Sequence, residues 1–365
     1  HSPFDILSTF DFRHSTFLPS ASPRLRVKSP MPPSLFITFD VECSMGGAWG
    51  NPAFRPVPPA RAVWGRYRSR ELGLPLIVSI LEQAGLAATF FVEAFTDEQG
   101  YPGEMERVCH YLLEHQQDVQ LHIHPNHKHY GLAQAGKPHP RCDYIADLAP
   151  EAQRALLEEG SQRLQQWTGR KTAAFRAGNM GASEATLQEL EKAGIPIDSS
   201  YTFPYAGGQC RFADRQLYNG SKWYGGVLEL ALSGFRQPSL PLLHPAKPVD
   251  LVGISAGECL AAARAIRAAG ADTVLILHSF SLVKVKNVQY DGGRLDRIVA
   301  RRFRTVCRWL AEHREEYPVW TFREIADDLA AGRYQARSAP PPTLNRPLRA
   351  IARKAVQALN RLYWA

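Results

Sequence analysis

Short apolar runs alternate with longer amphipathic stretches along most of this chain. Residues 34–40 and 87–92 are compact apolar runs, which predict buried strands. Between them, residues 70–84 carry leucine and isoleucine at helical spacing and stop at Gly85, which predicts a helix. Further strands are predicted at 119–124, 173–176, 195–198, 227–232, 273–277 and 319–321, and further helices at 104–115, 150–167, 184–193, 259–269, 295–313 and 322–329.

Strands that alternate with helices are typical of parallel β/α units. About seven or eight such units predict an α/β fold of the barrel type. Polar residues cluster where the predicted strands end, and these are Asp40, His122, Arg176, Asp198 and His278. In a β/α barrel the carboxyl ends of the strands face one common site, so we expect these side chains to meet there.

The formal net charge of +8 is concentrated near the two ends of the chain. Residues 331–365 include seven basic residues and no acid, and residues 1–30 include four basic residues and two acids. The remainder is close to neutral, which argues against a nucleic-acid-binding body. We expect a leader at 1–30 that lies outside the fold, since the first methionine is Met31, then a barrel at 31–330 and a basic tail at 331–365.

Six cysteines are scattered along the sequence without a C-x-x-C pair. We interpret them as reduced thiols, with a disulfide-bonded protein as the alternative. The sequence has no apolar run of the roughly 18 residues that a membrane span needs, and its first residues lack the layout of a secretory signal. These features together predict a cytoplasmic protein.

The first chemical motif is Asp40-Val41-Glu42, at the end of the first predicted strand. Alternate residues at a strand end can turn two carboxylates toward one centre, where one binds a metal and the other acts as a base. A lone D-x-E motif is equally compatible with two solvated carboxylates, so the interpretation depends on the motifs that follow.

Residues 121–130 read LHIHPNHKHY and contain four histidines, His122, His124, His127 and His129. Imidazole is a common ligand of zinc and similar divalent ions, and His122 and His124 share a face if the strand persists. A solvated polar loop is the alternative. Further along, Arg176 in FRAGN can orient a carboxylate. His278 in LILHSF is either a candidate acid or a buried structural histidine.

The order TFDVE, GLAATFFV, DVQLHIHP, FRAGN, GIPIDSS and LILHS resembles the polysaccharide deacetylase family, which has the NodB-homology fold. The resemblance covers residues 34–329 and implies a distorted (β/α) barrel of about seven parallel strands. It also implies one divalent ion, most often zinc, with cobalt, nickel and manganese as alternatives. It implies that Asp40 is the catalytic base, Arg176 its orienting partner and His278 the general acid. Asp198 is similar to the carboxylate that supports that histidine, and His122 to the first metal histidine.

Two positions depart from the common family pattern. The family usually has adjacent aspartates, whereas Val41 separates the two carboxylates here, as in a D-x-E branch of the family. We assign Glu42 to the metal. The alternative is that Asp40 and Glu42 have exchanged roles. The second metal histidine usually follows the first by four residues, where this chain has Asn126. His124 and His127 both remain candidates, and His124 is preferred.

The resemblance therefore predicts a metal-dependent hydrolase that removes an acetyl group from an N-acetylated sugar or glycan in surface polysaccharide biosynthesis. The alternatives are hydrolysis of another amide or a glycosidic bond, and a non-catalytic sugar-binding relative. Ser279, Phe280 and Leu282 are candidates for an acetyl pocket. Trp49 is a candidate for stacking on a sugar ring, with simple packing as the other interpretation.

The basic tail also has a helical pattern. Leu348, Ile351, Ala355, Leu359 and Leu362 recur at helical spacing, and the basic residues lie elsewhere around the helix, at Arg349, Arg353, Lys354 and Arg361. Such a helix can lie on an anionic membrane surface, so peripheral membrane contact is one expectation. Packing on the barrel or on a second subunit is the other.

Overall fold

The computed structural model describes residues 32–214, 216–238 and 244–362. The predicted leader at 1–30 lies outside these ranges. The strands of the described part are β1 (Leu35–Val41), β2 (Arg66–Tyr67), β3 (Arg70–Glu71), β4 (Thr89–Glu93), β5 (Asp118–Ile123), β6 (Ala174–Ala177), β7 (Ile197–Asp198), β8 (Asn219–Tyr224), β9 (Val227–Ala231), β10 (Gly234–Arg236), β11 (Ala246–Pro248), β12 (Thr273–His278), β13 (Val283–Lys284), β14 (Arg294–Leu295) and β15 (Ser338–Ala339).

Helices connect most of these strands. They are α1 (Pro59–Ala62), α2 (Leu74–Gln83), α3 (Glu104–Glu114), α4 (Pro125–Gln134), α5 (Pro150–Thr168), α6 (Glu184–Lys192), α7 (Ala256–Ala268), α8 (Arg297–Glu312), α9 (Phe322–Ala330) and α10 (Pro347–Leu362). No helix within the described residues is long and apolar enough to span a bilayer.

One sheet organises the described residues, in the order β12-β1-β4-β5-β6-β7-β9-β8-β15. The seven strands from β12 to β9 are parallel to their neighbours, while β8 and β15 pair antiparallel. The sheet curls so that the segments around β10 and β11 reach the far strand β12. The Ser233 N–H donates to Val274 O at 3.1 Å, and the Ile276 N–H donates to Val249 O at 3.2 Å. The predicted distorted α/β barrel with about seven parallel strands is confirmed.

The apolar runs form strands because both faces of the central sheet are covered. Every residue of β1 and of β4 is buried, as expected of parallel strands between layers of helices. Phe39 of β1 stacks on Phe90 of β4 at 4.9 Å and meets Phe303 of α8 edge-on at 5.6 Å. Burying each such ring contributes about 1.5–3 kcal/mol, so these contacts hold β1, and the motif at its end, firmly in place.

Three local predictions are corrected. The strand expected at 319–321 is only a single bridge between Val319 and Leu35. The histidine-rich stretch is not a loop, because it becomes helix α4 with His124 at the N-cap and Pro125 in the first turn, a position that proline favours. The main sheet extends beyond the predicted barrel boundary at residue 330, because β15 pairs with β8.

Candidate active site and metal centre

The carboxyl ends of the parallel strands bring most of the predicted site residues to one level of the sheet. Asp40 of β1 pairs in register with His278 of β12, and His122 of β5 pairs with Arg176 of β6. Glu42 lies two residues beyond Asp40 on the same segment. The structure thus brings together five residues from positions 40 to 278 of the chain.

Asp40 is held by a buried arginine. Arg176 Nη1 donates to Asp40 Oδ1 at 2.7 Å, and both side chains are almost fully shielded from solvent. The guanidinium also donates to the carbonyl and hydroxyl oxygens of Ser199 at 3.0 and 3.1 Å, and it lies 4.0 Å from the centroid of the Phe91 ring. A charge-assisted bond from so constrained a donor fixes the orientation of the carboxylate.

Glu42, His122 and His124 form a group whose ligand atoms all lie within 4.8 Å of one another. Glu42 Oε2 is 2.5 Å from His124 Nε2 and 3.5 Å from His122 Nε2. Within the described residues, His122 Nε2 is buried and has no hydrogen-bond partner. A buried nitrogen without a partner is costly unless another group uses its lone pair, and two imidazoles with one carboxylate are a donor set that suits zinc. These residues fit the predicted ion.

The tautomers of both histidines agree with this interpretation. His122 Nδ1 lies 2.9 Å from the carbonyl oxygen of Arg176, which only accepts, so Nδ1 carries the proton. His124 Nδ1 lies 3.0 Å from Asp143 Oδ1 and donates to it in the same way. In the neutral form of each ring, Nε2 is therefore the nitrogen left to bind an ion, and the outer partners orient the rings as they do in known metal sites.

The motif FRAGN supports the second histidine as well as Asp40. A side-chain carbon at Gly178 would lie only 2.4 Å from the His124 ring, so this position requires glycine to leave room for the imidazole. Asn179, with φ of 53°, donates its amide to Asp143, and left-handed backbone is more accessible to asparagine than to most residues. Gly178 thus provides the space that the His124 ring occupies.

The structure separates the two candidates for the second metal histidine. His127 lies on α4 and is stacked on His124 at 4.9 Å between ring centroids, with its Nδ1 3.4 Å from Glu93 Oε2. His127 is outside the group of described residues that could hold a metal ion, whereas His124 is part of it. The preference for His124 therefore agrees with the geometry, and its role as ligand stays a prediction.

Glu93 is a site residue that the sequence analysis missed. It is fully buried at the end of β4, and its carboxylate accepts the backbone N–H of Phe95 at 2.9 Å and of His124 at 2.7 Å. It therefore fixes the backbone from which the His124 ring projects. The signal was present, since Glu93 follows an apolar strand just as Asp40 does, but the predicted strand stopped at Val92.

The group of Glu42 and the two histidines is strongly coupled. Burial raises the pKa of Glu42, but the positive charge of His124 and the closeness of both imidazoles outweigh it and hold this pKa well below its usual value. Burial lowers the pKa of His124, but the charges of Glu42 and Asp143 raise it well above its usual value. Both shifts reflect a pocket that favours opposite charges at very short range.

His278 completes the site at its open side. Its Nε2 lies 3.8 Å from Glu42 Oε1 and 4.0 Å from Asp40 Oδ2, and its side chain is 31% exposed. The ring stacks on Phe280 at 5.0 Å, and its backbone N–H donates to Ser281 Oγ at 2.8 Å. His278 is therefore not a buried structural histidine, since solvent and a ligand can both reach it.

The expected pairing of Asp198 with His278 is corrected. Asp198 accepts from Ser200 Oγ at 2.8 Å and is hydrogen-bonded to Glu229, its neighbour on β9. It makes no hydrogen bond or ion pair with His278 in the described structure. Another carboxylate near the end of β12 is that of Asp250, whose backbone is bridged to Ile276. Burial raises the pKa of Asp250, and His278 lowers it.

Asp198 and Glu229 nevertheless act on the site through the backbone. Glu229 Oε1 accepts from the Tyr201 N–H at 2.9 Å, and Asp198 holds Ser200. The residue before this stretch, Ser199, is the one that holds Arg176. Burial and then the charge of Asp198 raise the pKa of Glu229 well above its usual value, so the pair shares a proton and anchors this segment.

This shared proton predicts how stability depends on pH. Glu229 has a raised pKa in the folded state, so its favourable contribution is complete below the ordinary glutamate pKa and is lost as pH rises through the folded value. We expect the free energy of unfolding of the unmodified protein to fall relative to that of Glu229→Gln by up to about 1.4 kcal/mol per pH unit in this window. Urea denaturation from pH 5 to 9 measures the difference.

The matched control is Glu114→Gln, an exposed carboxylate on α3. Its stability curve should run parallel to that of the unmodified protein. Parallel curves for Glu229→Gln as well would show that no proton is shared in the folded state.

The remaining predicted residues differ in their access to the site. Phe280 covers one face of His278 and can line a pocket. Ser279 is fully buried and donates its hydroxyl to Ala62 O at 3.1 Å, and Leu282 lies in the main core. Trp49 packs edge-on against Tyr130, with ring centroids 5.5 Å apart. The packing interpretation of Trp49 therefore has direct support.

Comparisons with known proteins find similarity at the level of three-dimensional structure alone. No family model matches the chain, and no curated protein matches it. Solved structures with a similar fold include CE4-family polysaccharide deacetylases, the family that the order of motifs resembles, at low sequence identity.

One similar structure is a protein from Mycobacterium smegmatis that is provisionally named a polysaccharide deacetylase, with 18% identity over 88% of this chain and 99% of that one, at a TM-score of 0.48. Another is a CE4-family pseudoenzyme from Bacillus anthracis, with 14% identity over 82% and 67%, at 0.40. A third is a family 4 carbohydrate esterase from Streptomyces lividans, with 12% identity over 77% and 88%, at 0.38.

Proposed function

We propose that this protein is a metal-dependent hydrolase that removes the acetyl group from an N-acetylated sugar or glycan, as part of surface polysaccharide biosynthesis. One observation carries the proposal. At one end of the sheet, the solvent-accessible His278 lies 4.0 Å from Asp40, the carboxylate that Arg176 binds. His278 also lies 3.8 Å from Glu42, which belongs to a group of three potential metal ligands.

Glu42, His122 and His124 would hold a divalent ion, with zinc as the best match to two imidazoles and one carboxylate. A bound ion of this kind polarises a carbonyl oxygen and lowers the pKa of a bound water toward about 7. The structure supports this through the orphaned His122 Nε2 and through the outer partners of both rings. The other carboxylate of the motif, Asp40, accepts from Arg176 through Oδ1. Its second oxygen remains available to accept a proton.

The protein's own residues then perform the hydrolysis. Asp40 accepts a proton from the attacking water through the oxygen that Arg176 does not use, and the water oxygen bonds to the acetyl carbon. His278, as imidazolium, gives its proton to the amide nitrogen as the C–N bond breaks. The products are acetate and a free amine on the sugar.

The test is acetate release from a panel of N-acetylated sugars, nucleotide sugars and oligosaccharides. We expect release with added zinc and its loss, by about 100-fold or more, after chelation, because the polarising ion contributes several kcal/mol to the barrier. Re-addition of zinc should restore the rate. A new reducing end without acetate would show a glycosidase instead. Sugar binding without any product would show a non-catalytic relative.

A further inference from the structure

The helix α10 turns a polar face toward the rest of the protein. Arg353 is only 3% exposed; it forms an ion pair with Glu258 of α7 and donates to Gln237 Oε1 at 2.7 Å. The sequence places Arg353 among the basic residues outside the apolar stripe, and the structure buries its side chain. Buried ion pairs require close partners on both sides, and this one fixes the rotation of the helix about its axis.

Two further contacts on the same face confirm that rotation. Gln357 Nε2 donates to Gly253 O at 3.1 Å, and Asn360 Nδ2 donates to Asp296 Oδ2 at 3.0 Å. With Arg353, these residues recur every three or four positions and therefore share one side of the helix. Docking through polar contacts is the reverse of what a helix on a globular surface normally does.

The apolar stripe consequently faces away from the body. Leu348, Ile351 and Leu359 are 80%, 54% and 65% exposed. Half of the large apolar side chains that are exposed in the described residues belong to α10. Single exposed leucines are ordinary, but a continuous apolar stripe on one helix indicates an interaction surface.

Basic groups border this stripe, and no acid lies in α10. At about 100° per residue, Arg349 and Lys354 fall roughly 100–120° to either side of the centre of the stripe. Their long side chains can extend from that position toward phosphate groups while their stems stay in apolar surroundings. Both residues are exposed.

A cleft of about 330 Å³ beside α10 adds to this positive charge. It is lined by Lys247, Arg302 and Lys354, together with Asp296. Asp296 is already engaged by Asn360 and by the first turn of α8. Burial and then the positive charges of Arg353 and Lys354 lower the pKa of Lys247, which reflects an excess of cations.

We propose that α10 docks this protein on an anionic lipid surface, with the stripe of Leu348, Ile351 and Leu359 in the acyl boundary and the flanking cations on lipid phosphates. Charge favours this occupant over a second copy of the chain, because two helices without acids would bring like charges together. A helix with one apolar face and basic flanks lies in the plane of the interface. The proposal is independent of the proposed enzymatic function.

The docked helix would lie next to the catalytic end of the sheet. Asn360 contacts Lys284 and Asp296, which belong to the segment that follows His278. The same segment contains Phe280, which stacks on the His278 ring. If the proposed function holds, its substrate is then an N-acetylated sugar that is carried by the membrane.

The test is co-sedimentation of the full chain with vesicles. We expect binding to vesicles of phosphatidylcholine with 30% phosphatidylglycerol (about 30% anionic lipid, enough to recruit basic interfacial helices) and little binding to phosphatidylcholine alone. Ile351→Gln with Leu359→Gln should weaken binding about 10-fold or more. Arg349→Gln with Lys354→Gln should weaken it about 5-fold per charge removed and reduce its sensitivity to salt.

Trp223→Gln is the matched control, since it removes an exposed apolar side chain from β8. Its binding should equal that of the unmodified protein. Absence of vesicle binding, or binding that both double variants retain, would overturn the proposal. So would a dimer in light scattering that Ile351→Gln with Leu359→Gln disrupts, because a second copy would then cover the stripe. Acetate release from soluble substrates should persist in that variant, which separates this test from the proposed function.

Discussion

Asp40→Asn should reduce turnover of the acetylated substrate by about 10²–10⁴-fold, the usual contribution of a positioned general base. The amide has the same shape as the carboxylate, and its oxygen can still accept the bond that Arg176 donates at 2.7 Å. It cannot take a proton from water at neutral pH. Steady-state kinetics of acetate release, together with circular dichroism to verify the fold, would measure the effect.

An aryl acetate separates the role of Asp40 from that of His278. Nitrophenolate leaves without being protonated, so His278→Ala should retain activity on p-nitrophenyl acetate while losing activity on an N-acetyl sugar. Asp40→Asn should lose activity on both, because each reaction needs an activated water. Wild-type rates in Asp40→Asn would exclude Asp40 as the base, and loss of both activities in His278→Ala would exclude the proposed acid.

His122→Ala should abolish stoichiometric zinc binding and, with it, activity. It removes one of three ligands, so the loss of affinity should exceed the ~10–100-fold that follows removal of an outer partner of a ligand. In the remaining pair, Glu42 Oε2 lies 2.5 Å from His124 Nε2, and these two residues alone offer too few ligands to hold the ion. Elemental analysis of the purified protein and competition with a chelator of known affinity would measure the loss.

His127→Ala is the informative comparison for the metal site, with exposed His110→Ala as the control. His127 stacks on His124 but lies outside the metal-binding group, so His127→Ala should retain its ion with at most a modest loss of affinity. Retention of zinc by His124→Ala together with its loss from His127→Ala would reverse the assignment of the second histidine.

The fold was predictable wherever burial on two faces imposes continuous apolar runs. β1, β4 and β12 were found in the sequence for this reason. β8 was missed because its sequence, NGSKWY, is largely polar and its stability comes from antiparallel pairing with β9. α4 was missed because the Pro-Asn-His-Lys-His stretch has no apolar periodicity; it is helical because Pro125 sets the first turn and Tyr130 is buried.

The site residues that lie at the ends of predicted strands could be found from the sequence. The motifs placed Asp40, His122, Arg176 and His278 at neighbouring strand ends, and the structure brings them together. The outer partners were not predictable, because contacts such as that of Asp143 with His124 join a loop to the N-cap of α4 across 19 residues without any characteristic spacing. The failure of Asp198 to contact His278 has the same reason, since Asp198 bonds to Ser200 and no sequence spacing indicates this partner.

The pleat of two strands determines the spacing of both chemical motifs. Val41 stands between Asp40 and Glu42, and Ile123 stands between His122 and His124; both apolar residues are completely buried in the main core. An acid or histidine could not move by one position without entering that core, where an unpaired charge costs several kcal/mol. The two motifs can therefore change only in steps of two residues, so any evolutionary route from this site to one with adjacent carboxylates must first end β1 earlier and rebuild the chain beyond it.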